Sequence, residues 1–274
     1  MNLSLITNDP LLSTEADELV DRIMIDLEYI GKKDRQTGKD LFHSTHELKD
    51  IPTVKSVLKN SSLVVRVNSI HDQSLEEINN VIAGGADVIM LPFFKSLNEV
   101  VYFIECVDKR AKVSLLIETK ESVSLLEKLI NIPDVCEFHI GLNDLSISLG
   151  NNTIFETILD GTIKHCIDIM KQSNKPYGFG GVGSISNRSL VVDPLLLLSE
   201  QIRLGCSIGW LGRSFRDLIK NKENLEYEVI LLKEAINNLK ALSSIELENN
   251  HVKLCEMIKQ QKSQLQINLK PYRI

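Results

Sequence analysis

Eight short apolar runs recur along the chain, at residues 3–7, 22–27, 63–68, 86–92, 112–118, 137–142, 176–181 and 207–211. Segments with helical spacing separate them, such as SLEEINNVIAGG and SLNEVVYFIECVDKR. Strands alternating with helices must pair in parallel, because each return to the sheet needs a crossover. Eight such units are the number that closes a TIM (β/α)8 barrel. An open doubly wound sheet would usually use fewer. The length of 274 residues suits one such barrel.

Helix starts support the parsing. Ser44–Glu47, Ser74–Glu77 and Ser96–Glu99 each fit S-x-x-E. In that pattern a serine caps the N3 amide while the glutamate reaches back to the cap amide. Each pair follows a strand run, on the barrel face where active sites lie. Between Gly31 and His43 the chain reads GKKDRQTGKDLFH, too long for a simple connection, which suits a lid or interface segment or else a mobile surface loop.

After Ser214 the pattern changes. Leu225, Val229, Leu232, Ile236 and Leu239 fall at three- and four-residue steps in a long helical stretch. This predicts a catalytic barrel over 1–220 and an extended helical C-terminal arm over 221–274. The arm is expected to pack on a partner subunit, making a homo-oligomer, with folding back on its own barrel as the alternative.

Composition excludes several classes. The net charge of -6 gives no basic field for nucleic acid. No apolar run approaches a membrane span, and MNLSLITNDP lacks the features of a signal peptide. The five cysteines are scattered, with no C-x-x-C or zinc spacing. Free thiols in a reducing cytoplasm are the expectation.

Strands of a barrel core should be apolar, so polar residues at their C-terminal ends are informative. Asp26 and Glu28 end the second run, Arg66 and Asn68 the third, Glu118 the fifth, and Gly141, Asn143 and Asp144 the sixth. Carboxylates converging at one mouth repel each other. A magnesium ion resolves this by taking one or two of them and leaving positions for water and substrate. Glu118 and Asp144 fit that pattern, and Arg66 could present a planar fork to an anionic ligand. A buried ion-pair network of Arg66 with Glu118 or Asp144 is the structural alternative.

The motifs DRIMIDLE, VRVNS, GGADVIMLP, LLIET and FHIGLNDLSISLG occur in an order and spacing that resembles the HpcH/HpaI aldolase and citrate lyase β-subunit family, over about residues 3–215. The resemblance implies a phosphoenolpyruvate/pyruvate-type barrel. It implies magnesium or manganese held by Glu118 of the IET motif and Asp144 of the ND motif. Arg66 of VRVN would hold the oxygen of a small 2-oxo acid or hydroxy-oxo acid. It also implies a trimer or hexamer through the C-terminal helices. The reaction would be aldol-type carbon–carbon cleavage through a metal-stabilised enolate. Asp26, Glu28 and Asn68 would support these groups from behind. His46, just after the Ser44 cap, is the candidate base, with His43 competing.

Two departures bear on substrate. Tyr29 stands where a second acid often follows DLE, and LSLITNDP lacks the apolar-Pro-Gly turn of coenzyme A ester lyases. A citryl- or malyl-type thioester lyase or thioesterase is therefore the runner-up. A non-catalytic interaction barrel is the third reading.

YGFGGVGSIS, residues 177–186, contains G-x-G-x-x-G spacing. A dinucleotide fingerprint should follow the first strand and open into a helix, with an acid about 20 residues on. Here the glycines follow the seventh run, so that reading fails. They match instead the loops after strands seven and eight, where barrels often bind phosphate. Gly180, Gly181 and Arg213 are the candidate substrate contacts there, against a tight turn needing positive φ.

Overall fold

The computed structural model describes residues 1–31, 45–187, 190–212, 215, 217, 219 and 222–268. Its strands are β1 (Asn2–Ile6), β2 (Arg22–Asp26), β3 (Ser62–Arg66), β4 (Val88–Leu91), β5 (Lys112–Ile117), β6 (Val135–Ile140), β7 (Tyr177–Phe179), β8 (Gly181–Val182) and β9 (Ile208–Leu211). All pair in parallel, in the order β7-β6-β5-β4-β3-β2-β1-β9-β8. The helices are α1 (Pro10–Ala16), α2 (Asp50–Val57), α3 (Ser74–Ala83), α4 (Leu97–Val107), α5 (Lys120–Leu129), α6 (Leu142–Ser148), α7 (Glu156–Leu159), α8 (Thr162–Met170), α9 (Pro194–Arg203), α10 (Lys222–Lys240) and α11 (Ser244–Asn268). This is the expected TIM-like barrel with C-terminal helices.

The seventh run differs from its reading as one strand. It breaks at Gly180 (φ +57) into β7, which pairs with β6, and β8, which pairs with β9. The two ends of the sheet are thus consecutive in the chain, and the chain itself carries the ring across its seam. Gly180 donates its amide to the Ile140 carbonyl at 2.9 Å, and Ser207 donates to the Tyr177 carbonyl at 2.9 Å. Glycine is needed here for space as well as for φ. A Cβ on Gly178 would lie 2.1 Å from the Ile208 carbonyl oxygen, and one on Gly180 would lie 2.6 Å from Leu142 Cδ1.

Side chains alternate faces along each strand. Ile23, Ile25, Leu63, Val65, Leu115, Ile117, Phe138 and Ile140 face the helices and join the main core. Met24, Val64, Val88, Met90 and Leu116 form a second cluster with Ile6 and Trp210. By strand parity this second cluster fills the barrel interior. Two residues along the same face, the interior turns ionic at both ends. Arg22 pairs with Glu137 at 2.8 Å at the N-terminal end, and Arg66 pairs with Asp26 at 2.7 Å at the C-terminal end.

Of the three expected capping boxes, Ser96–Glu99 forms as read, at the start of α4. Ser74–Glu77 does not. Ser74 lies inside α3 and its hydroxyl accepts the His71 amide at 2.8 Å, while Glu77 turns to Asn68 and His71. Ser44, like the lid segment from 32 onward, lies outside the described residues. Thr119–Ser122 forms a box that the S-x-x-E pattern does not detect, with serine in place of the acid.

The stripe Leu225, Val229, Leu232, Ile236 and Leu239 is buried. It packs within this chain: α10 against α1 and α9, and α11 against α9 and α7. The arm expected to reach a partner therefore covers its own barrel with this face. The residues at 220 and 221, where the domain boundary was placed, are outside the described residues. Among the described residues no helix is long and apolar enough to cross a membrane. All five cysteines are free.

Gly178→Ala should lower stability by about 1–3 kcal/mol, because the methyl meets backbone rather than a movable side chain. A urea unfolding midpoint equal to that of the parent would show that β7 can move off β9 without cost.

Candidate functional site

A cavity of about 530 Å³ opens at the C-terminal ends of the strands. Its polar end is lined by Asp26, Arg66, Glu118, His139, Asn143 and Asp144, with Gly141, Gly180 and Gly181 in its wall. Residues read separately from five strand ends thus meet in one chamber.

Arg66 is the centre of the polar end. Its Nε and Nη2 donate to the two Asp26 oxygens at 2.8 and 2.7 Å, and Nη1 lies 3.3 Å from Glu28 Oε2. A guanidinium has five N–H groups, so this fork leaves donors for a ligand. Burial works to lower the Arg66 pKa, but the charges of Asp26, Glu28 and Glu118 outweigh it and hold the guanidinium cationic. Its Cζ also lies 5.9 Å over the Trp210 ring. Arg66 does sit in an ion-pair network, but with Asp26 and Glu28 as its partners in place of the Glu118 or Asp144 of the structural alternative. Both Asp26 and Glu28 thus lie against Arg66.

Glu118 is 2% exposed, and its Oε1 accepts the Phe93 amide at 2.9 Å. Phe93 adopts φ +48, a strained value for a residue with a side chain, to present that amide. A Cβ on Gly141 would lie 2.6 Å from Glu118 Oε2. Gly141 therefore serves the site by making room for the carboxylate. Asp144 is 6% exposed and lies in the first turn of α6, not at a strand end, because β6 stops at Ile140. A helix N-terminus favours a negative side chain at this position.

Two buried carboxylates lining one chamber are oxygen donors of the kind a hard divalent cation takes. Among the described residues no group of three or more His, Cys, Asp or Glu side chains is placed to hold a metal. A cation held here would take Glu118 and Asp144 as its protein ligands and fill its other positions from substrate and water.

Asn68 acts on the loop rather than on the cavity. Its Oδ1 accepts the Tyr29 and Ile30 amides at 2.9 and 3.0 Å, and its Nδ2 donates to Glu77 at 2.7 Å. It fixes the start of the segment after β2. His46 accepts the Asp26 amide at Nδ1, 3.0 Å away, and is not among the side chains lining the cavity. That bond places the proton of the neutral ring on Nε2. Arg213 and His43 lie outside the described residues.

Two lining residues had no role in the sequence reading. Trp210 stacks on His139 with ring centroids 3.9 Å apart and planes within 2°. His139 lies inside β6. Its Nε2 is 2.9 Å from the Gly180 carbonyl, but its buried Nδ1 has no hydrogen-bond partner. A carbonyl only accepts, so Nε2 carries the proton and the ring is neutral. Burial pushes its pKa down to about 3, helped by the charges of Arg66 and Arg22 and opposed by the Gly180 bond. The alternation of β6 and β9 could have shown that both rings point inward.

The pH dependence follows in sign. The folded pKa lies below the ordinary 6.5, so the unfolded chain takes up the proton first as pH falls. His139 should cost about 1.4 kcal/mol of stability per pH unit as pH drops through that window. His139→Phe keeps a ring against Trp210 and should remove this slope in urea titrations across the window. An unchanged slope would assign the acid sensitivity elsewhere.

Comparison with known proteins bears on the whole arrangement. Residues 6–157 match the model of the family described as HpcH/HpaI aldolase/citrate lyase. No individually curated protein matches by sequence. Among solved structures, an HpcH/HpaI aldolase/citrate lyase family protein from Burkholderia cenocepacia J2315 aligns with a TM-score of 0.61 at 12% identity, over 88% of this chain and 95% of that one. HpcH/HpaI aldolase from Desulfitobacterium hafniense DCB-2 aligns with a TM-score of 0.60 at 14% identity, over 88% and 93%. Macrophomate synthase aligns with a TM-score of 0.57 at 13% identity, over 88% and 86%. At such identities the structural likeness speaks for the fold alone.

Proposed function

This chain belongs to the HpcH/HpaI aldolase/citrate lyase family, and from that premise we propose that it is a divalent-metal-dependent aldolase acting on a small 2-oxo acid or hydroxy-oxo acid. The observation that carries the reading is the convergence of Arg66, Glu118 and Asp144 in one chamber at the barrel mouth. Glu118 and Asp144 would hold magnesium or manganese, which when bound supplies Lewis-acid polarisation of a carbonyl.

The chain's own residues do the rest. The N–H groups of Arg66 not engaged by Asp26 and Glu28 bind the substrate oxygen on which negative charge develops. Asp26 fixes their direction through its two-pronged bond, so the donors need not reorganise as charge builds. Trp210 and the apolar interior beneath it exclude water from below. His46 holds the Asp26 amide at Nδ1 from outside the cavity wall, and would exchange a proton with substrate through Nε2 by way of a bridging water. Gly141, Asn143, Gly180 and Gly181 form the wall against which the substrate lies. Copies of the chain associate through the C-terminal arm, whose outer side exposes Tyr227, Ile230, Ile245 and Val252.

A panel of 4-hydroxy-2-oxo acids tests this, with release of pyruvate or another oxo acid as the readout. Activity should vanish with a chelator and return with magnesium or manganese. Arg66→Lys keeps the charge but loses the planar fork, and should cost about 10²–10³ in kcat. Full activity in Glu118→Gln, or in chelator, would sink the metal mechanism.

A further inference from the structure

The cavity does not end at the polar groups. Its far side is lined by Ile154, Phe155, Val191, Val192 and Leu197, and by Gln261 from α11. These come from three separate stretches: the turn before α7, the segment leading into α9, and the C-terminal helix. An ion pair ties the first of these to the last. Lys262, next to Gln261, donates to Glu156 Oε2 at 2.7 Å, and Glu156 Oε1 accepts the Asn152 and Thr153 amides at 3.1 and 3.0 Å.

Two features make this end a binding surface rather than core. Ile154 and Val191 line it yet remain 39% and 63% exposed, so they do not pay for folding. The chamber of about 530 Å³ lies in the size range that encloses drug-sized ligands, far more than a three-carbon oxo acid fills.

We propose that the cavity takes a 2-oxo acid bearing an apolar tail of several carbons, and that Ile154, Phe155, Val191 and Val192 determine specificity by packing that tail. This rests on the oxo-acid reading of the polar end, but the two claims are read from different quantities. The head group is selected at Arg66, Glu118 and Asp144; chain length is selected at the apolar end. A short, hydroxyl-rich sugar acid would leave these apolar side chains facing water and gain nothing from them.

Trp210 is the only tryptophan in the chain and lines the cavity, so its emission reports binding without turnover. The full chain with magnesium is titrated with pyruvate, 2-oxobutanoate, 2-oxopentanoate and 2-oxohexanoate, and with the matching carboxylic acids that lack the oxo group. Each added methylene should tighten binding about threefold to fourfold. The double variant Ile154→Ser/Val191→Ser changes two exposed positions, so it should fold. It should flatten that slope while leaving pyruvate binding unchanged.

A flat series in the parent, or an equal slope in the double variant, overturns the specificity claim. Equal binding of oxo acids and plain acids, with the slope retained, upholds the apolar end and counts against the oxo-acid function instead. No binding in either series overturns both.

Discussion

Closure of the barrel at its glycine-rich seam is the constraint on which the site depends. The ring closes only because the chain can turn at Gly180 and because Gly178 lets β7 approach the backbone of β9. Closure seals the interior from solvent and leaves the strand ends as its opening. Side chains two residues further along each inward face then converge on that opening. Asp26, Arg66 and Glu118 meet there because Met24, Val64 and Leu116 pack below them.

The polar end shows how charge is tolerated at such a mouth. Arg66 is largely withdrawn from solvent, its side chain 11% exposed, and a cation so placed needs both opposite charge and hydrogen bonds. Asp26 supplies both in a planar two-point geometry, and Glu28 adds a second charge. The same geometry points the remaining N–H groups in a fixed direction. Glu118 is positioned differently, by a backbone amide that Phe93 presents at positive φ and by the missing side chain of Gly141. Strain at Phe93 is of the sort that accumulates where a structure fixes a functional side chain.

Much of this was legible in the sequence for a simple reason. An acid or arginine ending an apolar strand has few structural excuses, so Arg66, Glu118 and the Asp26–Glu28 pair stood out. Asp144 was singled out as a strand-end acid, but β6 stops earlier than its apolar run and leaves the acid on a helix. Ser74–Glu77 matched a local motif, and tertiary partners won. Asn68 and His71 offered Glu77 better bonds than the helix start did. His46 was placed near the mouth, yet the Asp26 amide occupies its Nδ1. The apolar end was not legible, because Ile154, Val191 and Gln261 are ordinary residues in three distant segments.

The sequence by itself determined the alternation of strands and helices, hence parallel pairing and a barrel, and which strand ends carry charge. These follow from local periodicity and from the cost of placing polar groups on buried strands. Only the tertiary structure decided that the glycine run is the seam of the ring and that the C-terminal stripe covers its own barrel. It alone placed Gln261 in the wall of the chamber. Each of these turns on contacts between residues far apart in the chain, whose geometry exists only once the ring has closed.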